Sequence, residues 1–254
     1  MSRSCPNENQ PNPCTRWHSW NGEGNNGFVE YYDKDKVRAN GQKGENVVVG
    51  PKFTFLLLDE LSSVRGWHDA SDSGISSNEV RDTKAERMVV RALKGGILAE
   101  GFYANIRDRI KAVGGKFTAN LYVVYKAGTE HRLGALQLKG AALNSWVEFS
   151  KGNRDALYKQ AVAITGYLEG KKGKITFRTP VFALRDIAPE TDASATKIDK
   201  EVLQPYLTAY FKRTHMEQAS QPVGTAEPVE PESLADAADT GSEPPLPSDD
   251  AAPF

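Results

Sequence analysis

Cysteine is nearly absent: Cys5 and Cys14 are the only two in 254 residues, both in a leader rich in Pro and Asn. Two thiols cannot build a disulfide framework. With His18 they form neither a C-x-x-C pair nor a zinc spacing, so they read as spectator thiols in a reducing setting. Histidine is scarce as well, and His18, His68, His131 and His215 are scattered with no pairing interval. No apolar run approaches the ~20 residues of a membrane-spanning helix. Met1 to Gln10 is polar and lacks the apolar segment of an export signal, so the expectation is a cytoplasmic protein without a membrane partner.

The standard catalytic motifs are missing too. There is no G-x-x-x-x-G-K-[ST], no H-E-x-x-H and no G-x-S-x-G, and Gly95-Gly96 and Gly114-Gly115 read as turns outside any G-x-G-x-x-G context. His68 to Gly74 superficially resembles a calcium loop. Aligned on Asp69, however, its third and fifth positions are Ser71 and Ser73, and its twelfth is Val80 in place of a bidentate glutamate. No cofactor and no metal site is implied, and the chain reads as a non-enzyme. A nuclease whose Mg²⁺ carboxylates gather from distant positions is the lesser reading left open.

Basic residues stop at Arg213. Residues 217–254 hold nine of the 33 acidic residues and seven prolines, whereas residues 1–216 hold all 32 basic residues against 24 acidic ones. The net charge of −1 therefore hides a body of formally +8 and a tail of −9. Such asymmetry points toward nucleic acid or another polyelectrolyte. The tail has no apolar periodicity to offset ordering entropy, so it is expected to be disordered, as is the leader at 1–16. The tip, Asp249-Asp250-Ala251-Ala252-Pro253-Phe254, offers a partner a rigid apolar plug beside charge. Capture of a terminal carboxylate and insertion of an aromatic anchor are known recognition modes, which makes Asp249, Asp250, Pro253 and Phe254 candidate partner-binding residues.

Between these ends, residues 17–216 read as one mainly β domain with 39% hydrophobic and 26% charged residues in the chain as a whole. Phe28 to Tyr32 is strand-like, with Asp33 to Lys36 as a turn; Val47 to Val49 and Phe53 to Leu58 are apolar β-rich runs. Met88–Leu93 and Ile97–Glu100 flank Gly95-Gly96 as a hairpin. Ile106, Ile110 and Val113 place a helix over 102–113, stopped by Gly114-Gly115. Phe117 to Lys126 alternates, with Ala119, Leu121, Val123 and Tyr125 on one face. Leu133 to Leu138 is a strand and Ala141 to Phe149 a short helix. Ala161–Leu168 and Ile175–Leu184 form a hairpin about Glu169 to Gly173. Ile198, Val202, Tyr206 and Tyr210 mark a final helix that Pro205 kinks or splits. Many short strands around one internal helix suggest a small barrel of the oligonucleotide-binding kind, with insertions and flanking helices.

Sequence-independent binding of a single strand needs cations that follow phosphates and aromatic faces that stack on bases, each stacked base worth about 1–3 kcal/mol. Arg65 and Trp67 stand at the end of an apolar strand, with Trp67 the foremost stacking candidate. Tyr122 and Lys126 fall opposite Leu121, Val123 and Tyr125. Lys174 and Arg178 alternate with Ile175 and Phe177, which are left for the core. Arg91, Lys94 and Lys139 are strand-end cations. Trp17, Trp20, Phe102, Tyr103 and Trp146 are equally suited to packing.

The ending DDAAPF resembles the acidic tip of bacterial single-stranded DNA-binding proteins. Trp20-Asn21-Gly22, Tyr31 to Lys34, Phe53 to Leu61, Ser77 to Arg81, Gly101 to Lys111 and Gly140 to Leu143 resemble, in order, phage-encoded single-stranded DNA-binding proteins. The resemblance spans most of residues 17–212. It implies an oligonucleotide-binding barrel with extensions and an acidic tail. It further implies coating and protection of single strands in DNA replication, recombination and repair, in a bacterial host's cytoplasm, with replication and repair proteins recruited through the tip. A recombination mediator or strand-annealing protein is the alternative. RNA stays open as a ligand because contacts to a 2′-hydroxyl do not show in a sequence, and oligomeric state is open likewise.

Overall fold

The computed structural model describes residues 11–220. The strands are β1 (Trp17–Asn21), β2 (Phe28–Val37), β3 (Lys43–Gly50), β4 (Phe53–His68), β5 (Ser73–Ser77), β6 (Met88–Ala92), β7 (Gly96–Gly101), β8 (Gly115–Ala127), β9 (Glu130–Lys139), β10 (Ala161–Lys172) and β11 (Ile175–Arg185). The helices are α1 (Tyr103–Ala112), α2 (Ala141–Gly152), α3 (Pro189–Ile198) and α4 (Gln204–Ser220). The fold is mainly β, as the strand-rich sequence predicts.

Strand β4 organises the sheet. Along one edge it pairs with β8 from Phe55 to Gly66. Along the other its start pairs with β10 and its end with β5, so the sheet forks there. The path runs β3-β2-β1-β9-β8-β4-β5-β6-β7, with β10 and β11 as a hairpin arm off β4. The β1–β9 pairing is parallel and the others are antiparallel, which makes the sheet mixed. The strand path is open, so continuous pairing does not close the barrel suggested by the strand count. Beyond its pairing with β10, β11 meets the β1–β2 connection at an isolated bridge of Glu23 with Phe177. There Arg178 donates its N–H to the Gly22 carbonyl at 2.7 Å and Gly24 to that of Thr176 at 3.1 Å.

A bulge between Leu57 and Asp59 divides the interior. Side chains alternate along a strand, and one extra residue moves those that follow to the other face. Phe55 and Leu57 thus join Leu121, Val123, Leu136 and Trp146 of α2 in the main core. Leu61 joins Tyr122 and Leu133 on the opposite face, under Leu203, Tyr206 and Leu207 of the C-terminal helical segment. A third cluster sets Val64, Ile75, Met88 and Val90 beneath Ile106 and Ile110 of α1. His18 is a core residue among the rings of Tyr31, Phe53 and Tyr125. Burial lowers its pKa to about 4, so it is neutral there at ordinary pH.

Four local expectations change. Strand β2 runs through Asp33 to Lys36, with a register shift where the Asp33 carboxylate accepts the amides of Asp35 and Lys36, and the reversal falls after Val37. Part of the leader is packed: Asn12 reaches the hydroxyls of Tyr122 and Tyr206, and Thr15 Oγ1 donates to the Leu133 carbonyl at 2.8 Å. Ile175, assigned to the core, is 69% exposed because the β10–β11 arm reaches beyond the body. The final helical run begins at Pro189, a residue whose missing N–H is harmless in a first turn. It accommodates Pro205 after a π-helical turn at Asp199–Leu203.

Candidate nucleic-acid interface

On β8, Ala119, Leu121, Val123 and Tyr125 belong to the main core, so Lys116, Thr118, Asn120 and Tyr122 take the other face. Beyond the bulge β4 turns Leu61, Ser63, Arg65 and Trp67 to that same face. Helix α4 covers part of it. Where the cover ends a cleft of about 800 Å³ opens, lined by Trp17, Arg65, Trp67, Lys116, Gln137 and Lys139 together with Asp69 and Ile75. Trp67 is 54% exposed, Lys116 and Lys139 are exposed, and Arg65 Nε is buried with no hydrogen-bond partner among the described residues.

Glycine sets the cleft floor. Gly114 follows α1 with φ +90°, and a Cβ there would lie 2.3 Å from the Trp67 carbonyl oxygen; one on Gly66 would lie 2.2 Å from that of Gly114. Only glycines let the end of β4 and the α1–β8 turn approach so closely.

Behind the cleft sits a buried polar network. Glu79 accepts from Asn120 Nδ2 and from the Tyr122 hydroxyl, both at 2.6 Å, while its own N–H donates to the Tyr210 hydroxyl at 2.6 Å. Asn120 also donates to Ser63 Oγ and accepts from Gln137 Nε2. Burial pushes the Glu79 carboxyl up, opposed by the Tyr122 hydrogen bond and the Arg65 charge. Tyr206 is pushed up to about 12 by burial and by Glu79. Asp59 and Arg81 form a charged pair at 2.7 Å, and Arg81 stacks over Phe211 of α4. The connection after β5 thus clamps α4 onto the sheet.

Of the residues singled out in the sequence, Arg65, Trp67 and Lys139 meet in this cleft. Arg91 lies on the same face, two strands from Arg65, and Lys94 caps the nearby β6–β7 turn with its N–H on Ser73 Oγ at 3.1 Å. Lys126 is at the far end of β8, ~33 Å of strand from Lys116. Tyr122 is a correction: its ring is fully buried, edge-on to Trp17 and beneath α4, so it presents no face to a base. Arg178 is already engaged, stacked over Tyr167 at 4.4 Å, paired with Glu169 at 2.8 Å and donating to the Asn25 carbonyl. It straps the β1–β2 connection to the β10–β11 arm. Lys174 stands exposed at the tip of that arm. Asp249, Asp250, Pro253 and Phe254 lie outside the described residues.

Lys116, Trp17 and Gln137 complete the cleft without having been assigned to it from sequence. Lys116 shares the alternation of Tyr122 and Lys126, and extending that pattern by three positions would have found it. No helix among the described residues is long and apolar enough to cross a membrane. Comparison with protein-family models, with curated proteins and with solved structures finds no match.

Proposed function

We propose that this chain binds single-stranded DNA with little regard to sequence, coating and protecting it during replication and recombination. The carrying observation is the cleft: two indoles and three cations share one concave, largely uncovered surface. Stacking faces and phosphate partners are the two requirements of sequence-tolerant strand binding. In this reading the ring of strands β1, β9, β8, β4, β10 and β11, brought together at the Glu23–Phe177 bridge, corresponds to an oligonucleotide-binding barrel. The β5–β6–β7 sheet, α1 and the C-terminal helices are its additions. The likeness of several stretches to phage single-stranded DNA-binding proteins supports the same reading. Residues 217–254, with Asp249, Asp250, Pro253 and Phe254, recruit replication and repair proteins. The protein performs no chemistry on the strand.

The test is fluorescence anisotropy with labelled poly-dT and a matched duplex over a salt series. Preference for the single strand is expected. Each phosphate neutralised contributes about −0.7 to the log–log salt slope, so the three cations of the cleft give a slope of about −2. Equal affinity for duplex, or no binding at low salt, would refute the reading.

A further inference from the structure

We propose that the bound strand leaves the cleft across the sheet, over Lys116, Arg65 and Ser76 to Arg91, so that the small β5–β6–β7 sheet forms part of the binding surface. This rests on the single-strand reading above. The register carries it. Lys116 stands opposite Arg65, Arg65 opposite Ser76, and Ser76 opposite Arg91. Residues directly opposite on paired strands project to one face. Lys139 adds a cation one pleat away, opposite Thr118 on β9. Counted from Lys139 on β9 to Arg91 on β6, the surface crosses five strands, ~19 Å at the usual strand spacing of about 4.8 Å.

Lys116, Lys139 and Arg91 are exposed, and none joins an ion pair among the described residues. Between and beside them stand apolar side chains open to solvent. Trp67 is 54% exposed, Leu93 77% and Ile97, the partner of Arg91, 50%. The other face of the small sheet is closed by α1, through Ile106 and Ile110 against Ile75 and Val90. The Arg87–Glu100 pair at 3.4 Å lies where β6 begins, at the end away from Arg91, and Asp69 on the rim of the cleft. Cations interleaved with apolar and aromatic surface suit a ligand that displays charge and flat bases together. A single strand does so, whereas a duplex stacks its bases inside. At ~3.4 Å per stacked nucleotide the row spans about six nucleotides.

The experiment is anisotropy on labelled oligo-dT from about 4 to about 16 nucleotides, the range of site sizes for such folds, using the full chain, R91E and Lys126→Glu. Wild type should gain affinity with length until the row is covered. R91E should lose about tenfold on the long oligomers and nothing on the shortest, and Lys126→Glu, at the other end of β8, should change neither. Circular dichroism checks folding, and Arg91→Gln replaces R91E if that variant misfolds. An Arg91 effect equal at all lengths, or none at any, overturns the proposed path while leaving the cleft's function standing. If wild type binds no single strand, both fall.

Discussion

Trp67 and Tyr122 project from adjacent strands to one face of the sheet, yet one ring is half in water and the other has no exposed surface. Their substitutions should separate. Trp67→Ala removes a stacking face and should weaken poly-dT binding about tenfold to a hundredfold, with unfolding in urea unchanged. Tyr122→Phe removes a donor from buried Glu79 and should cost about 1–3 kcal/mol of stability while leaving poly-dT affinity alone. The reverse pattern would restore Tyr122 to the interface. Glu60 is a second residue-scale case. The bulge turns it toward the main core, where it accepts from Trp146 Nε1 at 3.1 Å. Burial raises its pKa; the Trp146 hydrogen bond opposes this and Asp59 adds to it. A carboxyl raised in the folded state contributes stability that is complete below its ordinary pKa of 4.5 and is lost as pH rises through the folded value. Glu60→Gln stays neutral, so it should melt above wild type at pH 8, with the gap narrowing toward pH 4.5. A gap independent of pH would refute this.

At the scale of elements, the α1–β8 turn holds the cleft together. Gly114→Ala must force an alanine to φ +90° and press its Cβ on the Trp67 carbonyl, so both stability and poly-dT affinity should fall. Gly128 in the β8–β9 turn also has positive φ, +66°, but nothing lies within 4 Å of an added Cβ. Gly128→Ala should therefore lose only about 1 kcal/mol and no affinity. Equal losses of affinity in the two variants, read by anisotropy, would detach the turn from the site. Helix α4 acts through cover: it hides Tyr122 and leaves Trp17 at the rim, so its end on the sheet decides which aromatic rings face solvent.

For the whole molecule the governing quantity is charge separation, a body of +8 tethered to a segment of −9. On the single-strand reading proposed above, a tethered polyanion at roughly millimolar effective concentration would compete with DNA for the same cations. Removing residues 217–254 should tighten poly-dT binding at low salt, with the advantage fading as the screening length falls to ~3 Å near 1 M salt. Identical affinities of full and shortened chains in dilute buffer would sink the competition.

The hairpins at 88–101 and 161–185, α1 and α2 were legible because each is local: apolar period, glycine stop and turn chemistry fall within a few residues. The pairing of Arg65 with Trp67 at a strand end was legible for the same reason. The open, forked sheet was not, since nothing near Phe53 announces that β4 will exchange one neighbour for another along its second edge. Tyr122 looked like a stacking residue because alternation shows which face a side chain takes and not what later covers that face. The sequence alone determined the charge polarity, the β-rich local structure and the supply of cations and aromatics. Tertiary structure decided which of them meet, because the row from Lys116 to Arg91 exists only through cross-strand register between segments far apart in the chain, and its exposure only through where α1 and α4 come to rest.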